Sequence, residues 1–307
     1  QEGLMWFNST SSTLKGYGTA AGVPSGTWAT GGSLNTARFG GSFSQNGPIS
    51  ATIYFGGSTP TVTGKTESYN GTAYTEVADM GAARTYMSGG AGTQTAALGA
   101  GGEPGRTDNT QTWDGSSWSE QSELNTAASL MAEGGSQTLA IAVGGQNPGV
   151  PTIYVQHEAW DGTSWTETTD MSTKRYGGFA AGPTNADVLV FGGQSPDATN
   201  VVNVEKWNGS SWTEVNNLNE GRKYLGGSGN SSDALCIGGD DGSYVANVEY
   251  WDGSSWTEIN NLGTATAYTG GSGSASAGMI SGGLAPSATA KTEEFVAPAV
   301  VSTITTS

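Results

Sequence analysis

The groups in these 307 residues that could do chemistry are few: one histidine, His157, one cysteine, Cys236, and a recurring carboxylate. Glutamates stand two residues before an aromatic as Glu67, Glu158, Glu205, Glu249 and Glu293, with Gln111 in the sixth such place. Two carboxylates in unlike environments can act as general acid and base, and an imidazole titrates near neutrality. Recurrence argues against catalysis, because a reacting centre breaks symmetry, so these carboxylates are expected to pair with arginines or to cap loop amides. His157, beside Glu158, reads as structural. Cys236 lies in the apolar run Ala234-Leu235-Cys236-Ile237 and reads as a buried, inert thiol. Asp240-Asp241-Gly242 offers two oxygen donors without the ligand spacing that a calcium loop needs. No metal or cofactor is expected.

These groups sit in a repeat. The stretch Trp251-Asp252-Gly253-Ser254-Ser255-Trp256-Thr257-Glu258 recurs at residues 113–120, 160–167 and 207–214, with a weaker version at residues 69–76. Two aromatics flanking Asx-Gly-Ser-Ser specify a tight β-hairpin, since glycine accepts positive φ and the Asx side chain bonds backbone two residues on. Aromatic faces could stack on sugar rings, yet a tryptophan pair at one fixed spacing reads as packing between repeats.

A second marker is an apolar run ending in Gly-Gly, at Gly57, Gly102, Gly145, Gly193, Gly239 and Gly283 by its second glycine. The spacings are 45, 43, 48, 46 and 44 residues. Such a period holds four short strands and their turns, and is too short for a sandwich domain. Radial repetition of four-stranded blades solves the packing, so an all-β, six-bladed propeller is expected over residues 27–296. Thr27-Trp28-Ala29-Thr30 matches an outer strand without a partner, and Glu293-Glu294-Phe295-Val296 a third strand without a fourth. The N-terminal strand is therefore expected to complete the last blade and remove two open edges. Glycine pairs such as Gly226-Gly227 and Gly270-Gly271 are expected on the innermost strands, where backbones converge. Residues 1–26 form an extension containing a candidate hairpin and a linker, and residues 297–307 a second extension.

The formal net charge of −16 opposes binding to nucleic acid or to an anionic membrane surface, both of which need basic side chains. No apolar stretch approaches the roughly 20 residues that cross a bilayer, so no membrane insertion is expected. One cysteine excludes an internal disulfide.

Gly-Gly after an apolar strand, Tyr250 or Trp251 on the third strand, Trp256 on the fourth, and an arginine after the fourth (Arg38, Arg84, Arg175, Arg222) together resemble kelch-type β-propellers. Ala128 and Thr266 depart from the arginine pattern. The resemblance covers residues 27–296. Kelch propellers include copper radical oxidases, and that chemistry, by the resemblance, would need two histidine ligands where this chain has only His157. The hairpins, the Asn-Thr-Ala-Arg turn at residues 35–38 and the N-terminal Gly3-Leu4-Met5-Trp6-Phe7-Asn8 are also similar to repeat arrays in structural, tail-fibre-like proteins of tailed bacteriophages.

Variation is concentrated in the loops after Gly-Gly, at residues 58–64, 103–109, 146–156, 194–202, 240–246 and 284–290. Propeller geometry puts these loops on one face with the arginine turns, and variable loops on a rigid scaffold are where binding resides. Pro148, Pro151, Tyr154, Arg106, Asp197, Asp240, Asp241 and Tyr244 are the candidate binding residues. The expected function is a non-enzymatic virion component, tail- or fibre-associated, presenting this face to other virion proteins or to a host-surface glycan or protein. The alternative is a secreted bacterial carbohydrate-binding propeller.

Overall fold

A computed structural model describes residues 24–87, 90–105, 107–147 and 152–298 in full and the strands at residues 5–8, 13–19 and 299–304 as backbone. Among the described residues there is no helix, and six antiparallel four-stranded sheets stand around an axis as the blades of a propeller. In the fifth blade the strands run, from the axis outwards, Gly226–Gly229, Ala234–Ile237, Val248–Trp251 and Trp256–Ile259. The third and fourth are joined by the expected hairpin, with Trp251 paired to Trp256. In its turn Asp252 Oδ1 accepts from the backbone N–H groups of Ser254 and Ser255 at 2.8 and 2.7 Å, the Asx geometry that the sequence specifies.

The Gly-Gly marker follows from the sharp return after the second strand. Both glycines of every copy have positive φ, as at Gly238 (59°) and Gly239 (112°), a region that costs an L side chain about 1 kcal/mol or more. Close approach at the axis explains another glycine. A Cβ on Gly271 would sit 2.0 Å from the carbonyl oxygen of Gly227 in the neighbouring blade.

The core is distributed among the seams between blades. Six apolar clusters fill them; one joins Phe179, Leu189 and Phe191 of blade 4 to Leu225, Cys236, Trp251 and Trp256 of blade 5. The repeated tryptophans belong to these seams. Trp251 and Trp256 are 5.4 Å apart between ring centroids and almost wholly buried. Several outer-strand rings also reach the preceding blade: the Nε1–H groups of Trp118 and Trp165 donate to Thr66 and Thr110 Oγ1 at 3.0 and 2.8 Å. The indoles are thus glue between blades.

Closure occurs as expected. Thr27–Thr30 is the outer strand of the sixth blade, registered Phe295 to Trp28, with those rings 5.3 Å apart. Trp28 Nε1–H donates to Asn260 O, tying the closing strand to blade 5. Where the other blades have a hairpin turn, the sixth has the two chain ends. Beyond them, Met5–Asn8 pairs with Thr13–Thr19, which pairs in turn with Ala299–Ile304, so the two terminal segments share one three-stranded sheet.

Candidate functional site

Each blade is entered through a turn, and in four of the six that turn carries the recurring arginine. In blades 1, 4 and 5 the guanidinium of Arg38, Arg175 or Arg222 is buried against Glu67, Glu205 or Glu249, at 3.0 Å in blade 4 and 2.8 Å in blade 5. The same carboxylates accept from the turn backbone, as Glu249 does from Asn219 N–H at 2.8 Å. Three blades depart from the pattern. Where Ala128 replaces arginine, Glu158 keeps only the turn bonds common to the repeat, accepting from Asn125 N–H, Asn125 Nδ2 and Thr126 N–H at 2.8–2.9 Å. Where Thr266 replaces it, Glu293 takes Lys291 Nζ at 2.8 Å and Gly263 N–H. Where Gln111 replaces glutamate, Arg84 turns to Asn109, its backbone oxygen at 2.6 Å. The recurring carboxylates are therefore occupied in holding turns.

His157 is fully buried between blades 3 and 4, edge-on to Trp207 and Trp212 with ring centroids at 4.6 and 5.3 Å. Its Nδ1 lies 2.7 Å from Thr168 Oγ1, and burial lowers its pKa to about 4. Cys236 is buried in the seam of blades 4 and 5, and desolvation pushes its thiol up to about 12. Among the described residues no three His, Cys, Asp or Glu side chains converge as a metal would require.

The two residues following the arginine position hold a feature that the repeat motifs do not announce. The first bridges to the residue after Gly-Gly, as Tyr176 does to Gln194 and Lys223 to Asp240, which places loops and turns on one face. The second donates its N–H to the carbonyl of its counterpart in the preceding blade, completing a closed ring around the axis. Tyr86, Leu130, Gly177, Tyr224, Tyr268 and Gly40 donate in turn to Gly40, Tyr86, Leu130, Gly177, Tyr224 and Tyr268, at 2.7–2.9 Å. Every member has φ between 55° and 67°. Glycine satisfies this geometry at Gly40 and Gly177 without strain, yet three positions carry tyrosine and one carries leucine, at a cost of about 1 kcal/mol each.

The tyrosine rings and their neighbours form an aromatic crown at the centre of the loop face. Tyr224 and Tyr268 stack at 3.9 Å, and Tyr86 lies 5.8 Å from Tyr268. Phe39 is 6.2 and 6.1 Å from Tyr86 and Tyr268, and Tyr176 is 6.1 Å from Tyr224. All five rings are half-buried. Burial above all pushes Tyr268 up to about 12 and raises Tyr86 and Tyr224, so the hydroxyls remain protonated. Gln194 organises the polar rim: its Oε1 accepts from Tyr176 Oη and from Lys223 Nζ at 2.9 Å. Its Nε2 donates to Ala198 O at 3.1 Å. The pit among the tyrosines is about 30 Å³, too small for more than a water or two. Beside Tyr176 a cleft of about 340 Å³ opens between the third and fourth loops, lined by Gln146, Thr152, Ile153, Gln194 and Pro196.

The residues expected to bind are dispersed over this face. Tyr244 is half-buried, and the Asp240 backbone is bridged to Lys223 and Tyr244. Asp241 and Asp197 are exposed and cap their own loops, Asp241 accepting from Ser243 N–H and Asp197 from Ser195 Oγ. Tyr154 packs against the apolar cluster of blades 2 and 3, and its backbone oxygen accepts from Arg175 N–H at 3.3 Å. Arg106, Pro148 and Pro151 lie outside the described residues. The signal for the crown was the position two residues after the arginine place, where the six aligned repeats carry glycine twice, tyrosine three times and leucine once.

No protein-family model matches the chain, and no curated protein matches it in sequence. Among solved structures it is similar to that of YjhT, with a TM-score of 0.69 and 12% identity over 88% of this chain and 99% of that one. That likeness is one of fold, and with the blade count and ring closure it makes the chain a six-bladed β-propeller.

Proposed function

We propose that this protein is a non-enzymatic component of a bacteriophage particle, tail- or fibre-associated, held by its terminal segments and presenting the loop face to a host surface or to another virion protein. The observation that carries the reading is the opposition of two ends. Both chain ends leave blade 6 at the hairpin-turn end of the propeller, where Val296 pairs with Thr27, while the variable loops and the aromatic crown occupy the opposite end. A particle component needs this polarity, one end for attachment and one for contact. The arginine–glutamate pairs serve as scaffold, and the resemblance read from the sequence of the hairpins and N-terminal element to phage tail proteins is the support for the biological setting.

Mass spectrometry of purified particles, with adsorption of those particles in the presence of excess purified protein, tests the proposal. The chain is expected in the particle, and the free protein is expected to slow adsorption. Its absence from every particle preparation would overturn the reading. A secreted carbohydrate-binding propeller is the second reading, favoured by the half-buried tyrosine rings, which suit the apolar face of a pyranose.

A further inference from the structure

We infer that the crown and the adjoining cleft form one extended site for a neutral oligosaccharide; this rests on the loop face being the contact surface. Three observations converge. First, Tyr86, Tyr224 and Tyr268, like Leu130 in blade 3, occupy left-handed backbone positions that glycine fills without strain in two sister blades, so fold alone does not account for the side chains there. Strained residues gathered at one surface point mark a site where the side chain is needed for something else. Second, the pit among the rings holds no more than a water or two, so a ligand lies across the crown. Tyr176 links the two parts, its ring 6.1 Å from Tyr224 on one side and lining the cleft on the other.

Third, the polar groups along this path are mainly amides and hydroxyls. Gln146, Thr152, Gln194 and Ser195 line the cleft, and protonated tyrosine hydroxyls edge the crown. Half-buried aromatic rings bordered by such groups suit the apolar faces and hydroxyl edges of a pyranose chain. Charge selects the neutral class. The chain carries −16, four turn arginines are buried, and Lys223 is already engaged by Gln194 and by the Tyr224 ring, 5.1 Å from its ammonium. A polyanionic glycan would meet an unfavourable field.

Titration calorimetry of the full chain with cellohexaose, maltohexaose and chitohexaose, and with an oligogalacturonate of the same length as the acidic counterpart, tests the inference. At least one neutral hexamer should bind, more tightly than its own disaccharide, and the acidic oligomer should not. Tyr224→Asn keeps a residue that tolerates the left-handed backbone. Tyr176→Ala removes the ring that links crown and cleft. Each should weaken the neutral hexamer by about tenfold or more, a loss on the scale of one aromatic contact. Tyr224→Asn should melt within about 3 °C of the parent, and Ser116→Ala on the hairpin-turn end should leave the affinity for the hexamer unchanged. Binding to none of the neutral hexamers, tighter binding of the acidic one, or unchanged affinity in both tyrosine variants would overturn the inference. If the free protein still slowed particle adsorption, the loop-face reading would survive that outcome, and if it did not, both would fall.

Discussion

Replacing His157 by glutamine isolates the pH dependence contributed by the one imidazole in the chain. The ring is fully buried, with Thr168 Oγ1 on Nδ1, no well-formed hydrogen bond on Nε2, and the edges of Trp207 and Trp212 against it. Burial lowers its pKa from 6.5 to about 4, so the folded chain keeps it neutral where the unfolded chain takes up a proton. Stability therefore rises with pH across this window, in full above the unfolded value and lost progressively as pH falls towards 4. Each tenfold difference in proton affinity between the two states is worth roughly 1.4 kcal/mol, so the loss relative to pH 8 is about 1.4 kcal/mol at pH 5.5 and about 2.5 kcal/mol at pH 4.5. Many carboxylates titrate in the same range, so the informative quantity is a difference. His157→Gln keeps a neutral hydrogen-bonding side chain and removes the titration. Urea unfolding of both proteins from pH 8 to pH 4.5 should show the parent losing about 2.5 kcal/mol relative to the variant. A difference that does not change with pH would refute the reasoning.

Other expectations follow from the seams and the turns. Glu249→Leu strands the buried Arg222 guanidinium and should cost about 3–5 kcal/mol by denaturant titration. Glu249→Gln should cost distinctly less, because Asn247 occupies the place from which Asn109 serves Arg84 beside Gln111. Glu133 is wholly buried with neither carboxyl oxygen in a well-formed hydrogen bond, and desolvation raises its pKa well above the ordinary range. Glu133→Met should therefore stabilise the protein by about 1–3 kcal/mol, measured in the same way. Phe295→Ala, which removes the ring facing Trp28 at the closure, should cost about 3–5 kcal/mol. Cys236 should react with a disulfide reagent only as fast as the chain unfolds, since its thiol is buried and held protonated.

The blades were legible in the sequence because their constraints fall on single residues. A return needing positive φ twice favours Gly-Gly, and an Asx turn between paired strands favours Asx-Gly between two aromatics, as at residues 251–256. Closure was legible because Thr27–Thr30 matched an outer strand that lacked a partner. The innermost glycines were only partly legible. Gly40 and Gly177 belong to the axial ring, whereas Gly226 and Gly270 begin inner strands, so pairs that look alike in sequence meet different demands. The crown escaped notice because strain at Tyr86, Tyr224 and Tyr268 is a backbone property that side-chain identity hides. The pairing of Ala299–Ile304 with Thr13–Thr19 was equally hidden, since it depends on closure having brought the two ends together.

A reconstruction of the intact particle at a resolution that separates the two ends of the propeller tests the central claim most directly. The end from which Gly26 and Ala297 leave should face the particle, and the end bearing Tyr224 and Tyr268 should face outward or rest against another component. A map in which the tyrosine end is the anchor, with the hairpin turns outermost, would contradict the account.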